Sequence, residues 1–404
     1  MPRRNITYPF THHRFHLGHI GRLPMLAINR LLGLLGTYII AIFFAIFLYE
    51  FFGGDLQKVI LWYIVMYIMR LPFHVIAAKI FSKTGLSLSM AIGTVGYMLF
   101  FLAMYLLDIG IAAQPYFLLG MGMIGLVILS GFYWAPFHVD FASFSTKGHR
   151  GRQVSLFRGI ETVIGIIAPL AGGFLVAQYS YGIIFIIGIL MMFFSFIPLM
   201  MLPNTKVQYE FGFFETFRKM FSKDFLPVTI SMMALGAENI VGRTIWPIFL
   251  FVLFVGEYLE IGAFASMIVV VTLVFQYAVG RYIDKHKSKH LLKRSSEVYA
   301  LGWVAKAFAQ SVGGVFAAST FHSFGKIASY TSVESMWYEK SADSGHYVDE
   351  YTVIRETALT LGQLLVMVIL YFLVTTFSFT GAFLMAAVIS LFMNYLSKVV
   401  VLKS

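Results

Sequence analysis

Residues 131–173 read GFYWAPFHVDFASFSTKGHRGRQVSLFRGIETVIGIIAPLAGG, and the rest of the chain follows from how this stretch is understood. An aromatic, apolar segment stops at a short basic loop of Lys147, Arg150 and Arg152. A second apolar segment then opens with Arg158 and Glu161 and carries Gly165, Pro169, Gly172 and Gly173. Two apolar runs joined by a cationic turn make a membrane hairpin, with the turn expected in the cytoplasm, where lysine and arginine concentrate.

Composition extends that reading to the whole chain. Of 404 residues 59% are hydrophobic and 12% charged, where an ordinary soluble domain carries about 25% charged residues. No soluble core of this length buries so much apolar surface, so most of it is expected to face lipid. The net charge of +11 is scattered between long apolar runs. It therefore reads as topology signals beside anionic lipid, and no nucleic-acid partner is expected. The lack of cysteine excludes disulfides, thiolate metal sites and a cysteine nucleophile.

Residues 1–24 form a basic, histidine-rich tail without the apolar core and cleavage site of a signal peptide. His12, His16 and His19 would share a helical face. No carboxylate stands nearby to complete a ligand set, so the tail reads as interfacial and no metal is expected. Twelve apolar segments follow, each long enough to cross about 30 Å of hydrocarbon: 25–52, 56–81, 86–107, 115–139, 154–178, 181–202, 225–255, 259–281, 291–311, 313–338, 350–375 and 379–401. With the N-terminus inside, the inner connections hold Lys79 and Lys83, then Lys147, Arg150 and Arg152, then Lys206, Arg218, Lys219 and Lys223, then Arg281, Lys285, Lys287, Lys289, Lys293 and Arg294. The outer ones hold Lys58, with Asp55, Asp108, Glu257 and Glu260. This bias places both termini in the cytoplasm of a multi-pass inner-membrane protein.

The longest polar interruption, 203–224, falls at mid-chain and divides a six-helix half at 25–202 from another at 225–404. Within it Phe211, Phe213, Phe214, Phe217 and Phe221 alternate with Glu215, Arg218, Lys219 and Lys223, the pattern of an amphipathic helix on the inner membrane surface. A parallel repeat supports the division. AKIFSKTG at Ala78 and GRYIDKHK at Gly280 lie 202 apart; Trp134 and Trp337 lie 203 apart. Arg158 and Arg355, 197 apart, each precede a glycine by seven residues, Gly165 and Gly362.

These features resemble the major facilitator superfamily of secondary transporters over essentially the whole chain. The superfamily's loop signature, Gly-x-x-x-Asp-Arg/Lys-x-Gly, is matched by Gly280, Asp284 and Lys285, with Lys287 or Ser288 where the last glycine would be. In the first-half copy Ala78 and Ser82 replace glycine and aspartate, while Lys83 and Gly85 fit. Such loops resemble electrostatic latches on the cytoplasmic face. Gly165, Pro169, Gly172 and Gly173 look like the glycine-proline motif of the superfamily's antiporters, although close helix packing explains them equally. The resemblance implies an all-α membrane fold of twelve helices in two pseudo-symmetric halves, with segments one, four, seven and ten around a central cavity.

Charges at membrane depth point to mechanism, since each costs at least about 2.5 to 3.5 kcal/mol at the centre of an isolated helix. His322 and Lys326 lie four apart on segment ten, with Tyr330 continuing the stripe. Segment seven offers Glu238, Asn239, Arg243 and Trp246. Glu238 is the first choice for a proton carrier, because burial penalises a carboxylate's charged form; a permanent ion pair with Arg243 or Lys326 is the competing reading. Tyr38, Tyr133, Trp134 and Trp246 would give the cavity aromatic surface. Asp140, Arg158, Glu161, Glu334, Arg355 and Glu356, with Asp284 and Lys285, would form a cytoplasmic gate that breaks as the halves move. Arg70 and His74 could belong to the cavity wall or to this gate. Lys306 reads as snorkelling to the outer surface.

No glycine loop with Lys-Ser/Thr supports an ATP-driven pump, the stretch Glu339 to Glu350 reads as a solvated loop, and no enzyme activity or cofactor is expected. The expectation is a monomeric carrier amid membrane lipids that moves a small anionic or amphipathic solute by alternating access. Proton-coupled exchange or export is its leading mode. An uncoupled facilitator, a lipid or lysolipid transporter, and a non-transporting receptor or scaffold are the alternatives.

Overall fold

The computed structural model describes residues 22–111, 114–144, 150–283, 288–342 and 348–398, and among these the regular structure is helical throughout. Helices satisfy every backbone polar group within one segment, which hydrocarbon requires. In chain order they are α1 (Arg22–Tyr38), α2 (Phe43–Phe51), α3 (Leu56–Thr84), α4 (Leu86–Asp108), α5 (Pro115–Leu129), α6 (Ala135–Phe144), α7 (Arg150–Gln178), α8 (Tyr181–Met201), α9 (Phe213–Met220), α10 (Leu226–Ile240), α11 (Trp246–Leu253), α12 (Tyr258–Ile283), α13 (Ser288–Phe308), α14 (Val312–Ala342) and α15 (Val348–Phe392).

Eight stretches among the described residues are long and apolar enough to cross a membrane, and a shorter apolar helix runs from Tyr258 to Leu273. The expected segments seven, nine and ten fall short because polar side chains dilute them: Glu238 and Arg243 in α10 and the turn after it, Lys293, Arg294, Glu297 and Lys306 in α13, His322 and Lys326 in α14. α15 and the 3-10 turn after it, Met393–Lys398, carry both final spans, Asp349–Val374 and Phe379–Ser397. Near the start of α15 Tyr351 packs on Phe225, with ring centroids 4.5 Å apart, and just past its end Met393 accepts a hydrogen bond from Ser231. Phe225 and Ser231 flank the start of α10, so the chain doubles back between the two spans.

Three expected spans are interrupted. Segment one turns at 39–42 between α1 and α2, segment four passes through a π-helical turn at Ser130–Trp134, and segment seven through another at Val241–Ile245. The two π turns have a visible cause. Pro136 and Pro247 lack the N–H that would bond the carbonyls of Phe132 and Arg243, and the ladder widens there. The interruptions of segments one and seven begin 202 positions apart, at Ile39 and Val241, matching the offset of the sequence repeat.

The linker forms the expected amphipathic helix over only part of its length. Its helix, α9, is eight residues long, capped by Glu215 reaching back to the Gly212 N–H at 3.1 Å. Before it the chain is irregular and docks on both halves: Thr205 O accepts from Leu86 N, Pro203 O from Ser87, and Glu210 N donates to Glu350. Gly85, at φ +95°, makes the turn between α3 and α4, and a Cβ there would strike Asn204. The end of the bundle that carries this segment is termed the linker end below, and the opposite one the far end.

Glycines set the closest crossings. A Cβ on Gly172 would meet the Ile39 carbonyl, and one on Gly173 or Gly262 would drive α7 and α12 apart. Within the second half α10 and α15 cross where Gly236 lies against the Leu359 carbonyl and Gly362 against that of Met233. Gly362→Ala is therefore expected to cost about 1–3 kcal/mol by overpacking and to lower the melting temperature by several degrees. Gly120→Ala, which meets nothing within 4 Å, should leave it unchanged; equal melting curves for the two variants would refute this account.

Candidate functional site

Glu238 is fully buried on α10. One carboxylate oxygen accepts from the Tyr330 hydroxyl of α14 at 3.0 Å, and the other lacks a hydrogen-bond partner among the described residues. The competing reading, an ion pair with Arg243 or Lys326, is not formed: neither cation comes within 4.0 Å of it. Arg243 is exposed although it sits in the π turn at mid-segment. It lies within electrostatic reach of Tyr38, Tyr63, Tyr67, Arg70, Tyr97 and Tyr330. Those residues belong to α1, α3, α4 and α14, so its guanidinium faces the space between the halves.

Around Glu238 the second half places aromatic and basic groups in alternation. Lys326 is half-buried, its Nζ 5.4 Å from the Tyr330 ring. His322, 4% exposed, lies 4.6 Å from both the Tyr299 and Trp303 rings. It packs on Gly302, where a Cβ would collide with it. Asn239 is half-buried beside Glu238, and Trp246 stacks on Phe249 at the start of α11. Lys306 corrects the snorkelling expectation. It is 6% exposed, and its Nζ lies 3.9 Å from the Trp246 ring centroid and 4.7 Å from that of Trp303. Helical side chains lean toward the N-terminus of their helix, so a lysine in the last turn of α13 points back into the bundle and not out to the surface.

The first half offers a matching wall. Tyr133 donates to Asn29 at 2.8 Å, and Asn29 donates to Ser195. Arg30 lies 4.7 Å over Trp134 and pairs with Glu161 at 3.2 Å. Tyr38 ends α1, half-buried. Asn29 and Arg30 stand outside the sequence expectation. Two adjacent polar residues within an apolar segment were their visible signal.

The halves touch toward both ends. At the linker end the Arg355 guanidinium lies 3.3 Å from His138 Nε2 and bonds its neighbour Glu356, while Trp337 sits 4.9 Å beneath it. Deeper, His74 reaches Thr360 at 2.9 Å and receives Arg70. Of the expected gate, Arg355 and Glu356 thus meet, joined by His138, which stood outside the sequence expectation. Glu161 turns instead to Arg30. Asp140 is buried on α6 and Glu334 half-buried on α14. The Arg158 side chain, Asp284, Lys285 and the histidines of the tail lie outside the described residues.

At the far end Glu50 accepts from Tyr181 of α8 and, at 2.6 Å, from Tyr258 of α12. Tyr258→Phe removes one bond that crosses between the halves there, leaving the one from Gln57 to the Tyr371 carbonyl at 3.1 Å. It is expected to raise labelling of a cysteine placed in the cavity from that end by about fivefold, the weight of about 1 kcal/mol; an unchanged rate would show the bond to be incidental. Among the described residues no three histidine or acidic groups gather as a metal would need.

No protein-family model matches the chain, and no curated protein does. Solved structures match it nearly end to end. A POT family transporter in complex with 5-aminolevulinic acid superimposes with a TM-score of 0.68 at 12% identity, over 94% of this chain and 96% of that one. A D-xylose-proton symporter gives 0.66 at 14% identity, over 91% and 96%. The nucleoside transporter NupG gives 0.66 at 13%, over 93% and 98%. The chain has the major facilitator fold, an all-α membrane architecture of two six-helix halves. At such identities the likeness speaks for the fold, and the solute has to be argued from the site.

Proposed function

We propose that the chain is a secondary transporter, not an enzyme, which moves a small organic anion or amphipath across the cytoplasmic membrane by alternating access. The linker end, with its excess of lysine and arginine, faces the cytoplasm. Tyr38, Tyr133, Trp134, Asn239, Arg243, Trp246, Lys326 and Tyr330 line the solute's path, with His322 behind them. Arg355, Glu356, Asp140, Glu334 and His138 take part in the inner gate, and Arg158, Asp284 and Lys285 keep the gate role expected from sequence. Movement is driven by the proton gradient without a cofactor, in antiport or export, and the protein works as a monomer among lipids.

The observation that carries this reading is Glu238, a fully buried carboxyl held by a neutral hydroxyl instead of a cation. A permanent ion pair has no reason to exchange protons, whereas a buried carboxyl whose partner stays neutral changes its own charge when it loads and unloads. The test is flux of each candidate solute into sealed proteoliposomes with and without a pH gradient. Flux indifferent to the gradient would leave a facilitator, and binding without flux would make the protein a receptor.

A further inference from the structure

We propose that Lys306 and His322 form an oxyanion subsite, walled by Trp246 and Trp303, that holds the carboxylate of the transported solute; its place in transport rests on the carrier reading above. Both groups are more than nine-tenths buried, and both lie against the same indole. Lys306 Nζ is 4.7 Å from the Trp303 ring centroid, and the His322 ring is 4.6 Å from it. Trp246 closes the other side of the lysine at 3.9 Å.

Among the described residues neither group has a carboxylate in contact with it. Lys306 rests on indole faces, and His322 Nδ1 is buried without a hydrogen-bond partner, although its ring lies within reach of the Tyr299 main chain. Glu238, a buried carboxyl within electrostatic reach of Lys306 but more than 4.0 Å from it, is engaged by Tyr330 through one of its oxygens. Indole faces return part of the hydration that an ammonium loses on burial but do not neutralise its charge. An oxyanion with two acceptor atoms completes both groups at once, one oxygen on the ammonium and one on the imidazole N–H.

The approach is graded. Arg243 is exposed and Lys326 half-buried, and Lys326 is within electrostatic reach of Lys306. Trp246, half-buried, begins α11 three residues after Arg243 and stands in the wall of the box. An organic anion drawn in by Arg243 therefore meets cations of increasing burial. Its carboxylate ends between two indoles while its apolar part remains against Trp246 and Phe249.

The experiment is thermal unfolding of the purified full chain, wild type and Lys306→Met, with benzoate, phenylacetate and octanoate, each against its primary amide, and with inorganic phosphate. Methionine keeps the length and the indole contacts while removing the charge. The expected result is a wild-type melting temperature raised by at least one carboxylate and not by its amide. Lys306→Met should melt higher than wild type without ligand and show no carboxylate shift. Lys306→Arg, which keeps a cation of another shape, should show a reduced shift.

A carboxylate shift that survives in Lys306→Met overturns the subsite. So does a ligand-free Lys306→Met that melts lower or does not fold, since the lysine would then already be satisfied. Failure of all three carboxylates to exceed their amides overturns it as well, as does stabilisation by phosphate alone. Flux separates the two readings. A protein that shows the carboxylate shift yet moves nothing in vesicles keeps the subsite and loses the carrier, whereas undiminished carboxylate flux in Lys306→Met keeps the carrier and loses the subsite.

Discussion

Glu238→Gln is expected to abolish accumulation driven by a pH gradient, by about 100-fold or more, the usual weight of a positioned proton-transfer group, while exchange of labelled solute across the vesicle wall persists. Glutamine keeps the shape of a protonated carboxyl and still accepts from the Tyr330 hydroxyl 3.0 Å away. It therefore holds the helix pair together but is locked in one charge state. A carrier arrested in its loaded form can still return with solute aboard, which exchange measures, but it cannot unload a proton and cycle empty. Glu238→Gln with normal gradient-driven uptake would remove Glu238 from coupling. Loss of exchange and uptake together, with an intact melting curve, would make Glu238 a solute ligand.

The fold was legible because the hydrocarbon core imposes a length and a composition that any apolar run of about 20 residues announces. The basic loops, the mid-chain linker and the 202-residue repeat come from the same one-dimensional signals. What depends on side-chain direction was not legible. Lys306 lies so near the end of α13 that position alone suggested an escape to the surface, yet its helix runs toward the far end and the side chain leans back. Glu161 and Arg355 sit at comparable places in segments five and eleven, but one pairs with Arg30 on α1 and the other with His138 on α6. A single sequence without partners does not distinguish those outcomes. The turn at 39–42 has no proline or glycine within it to announce a break. The interruption of segment seven, by contrast, is foreshadowed by Pro247.

The glycines of segment five, which in the sequence fit exchange and packing equally, lead to the second large effect. Gly262→Leu is expected to raise the rate at which an impermeant maleimide reaches a cysteine in the cavity from the far end by about 5- to 150-fold, and to depress transport. Gly262 lies against the Pro169 carbonyl, and a Cβ added to it would stand 3.2 Å from the Gly173 Cα, where α12 of one half meets α7 of the other. A side chain there overlaps backbone, which has no rotamer to escape into. Overpacking costs about 1–3 kcal/mol, and the cost falls on the arrangement in which the far end is closed, since it vanishes once the two helices part. A penalty borne by one of two states shifts their ratio by about 5- to 150-fold. The chain has no cysteine, so Asn239→Cys, half-buried beside Glu238, gives a single reporter without background. Gly313→Ala, which meets nothing within 4 Å, is the matched control. If Gly262→Leu lowers the melting temperature and leaves labelling unchanged, the crossing is static packing present in every state, and the halves must part along another seam.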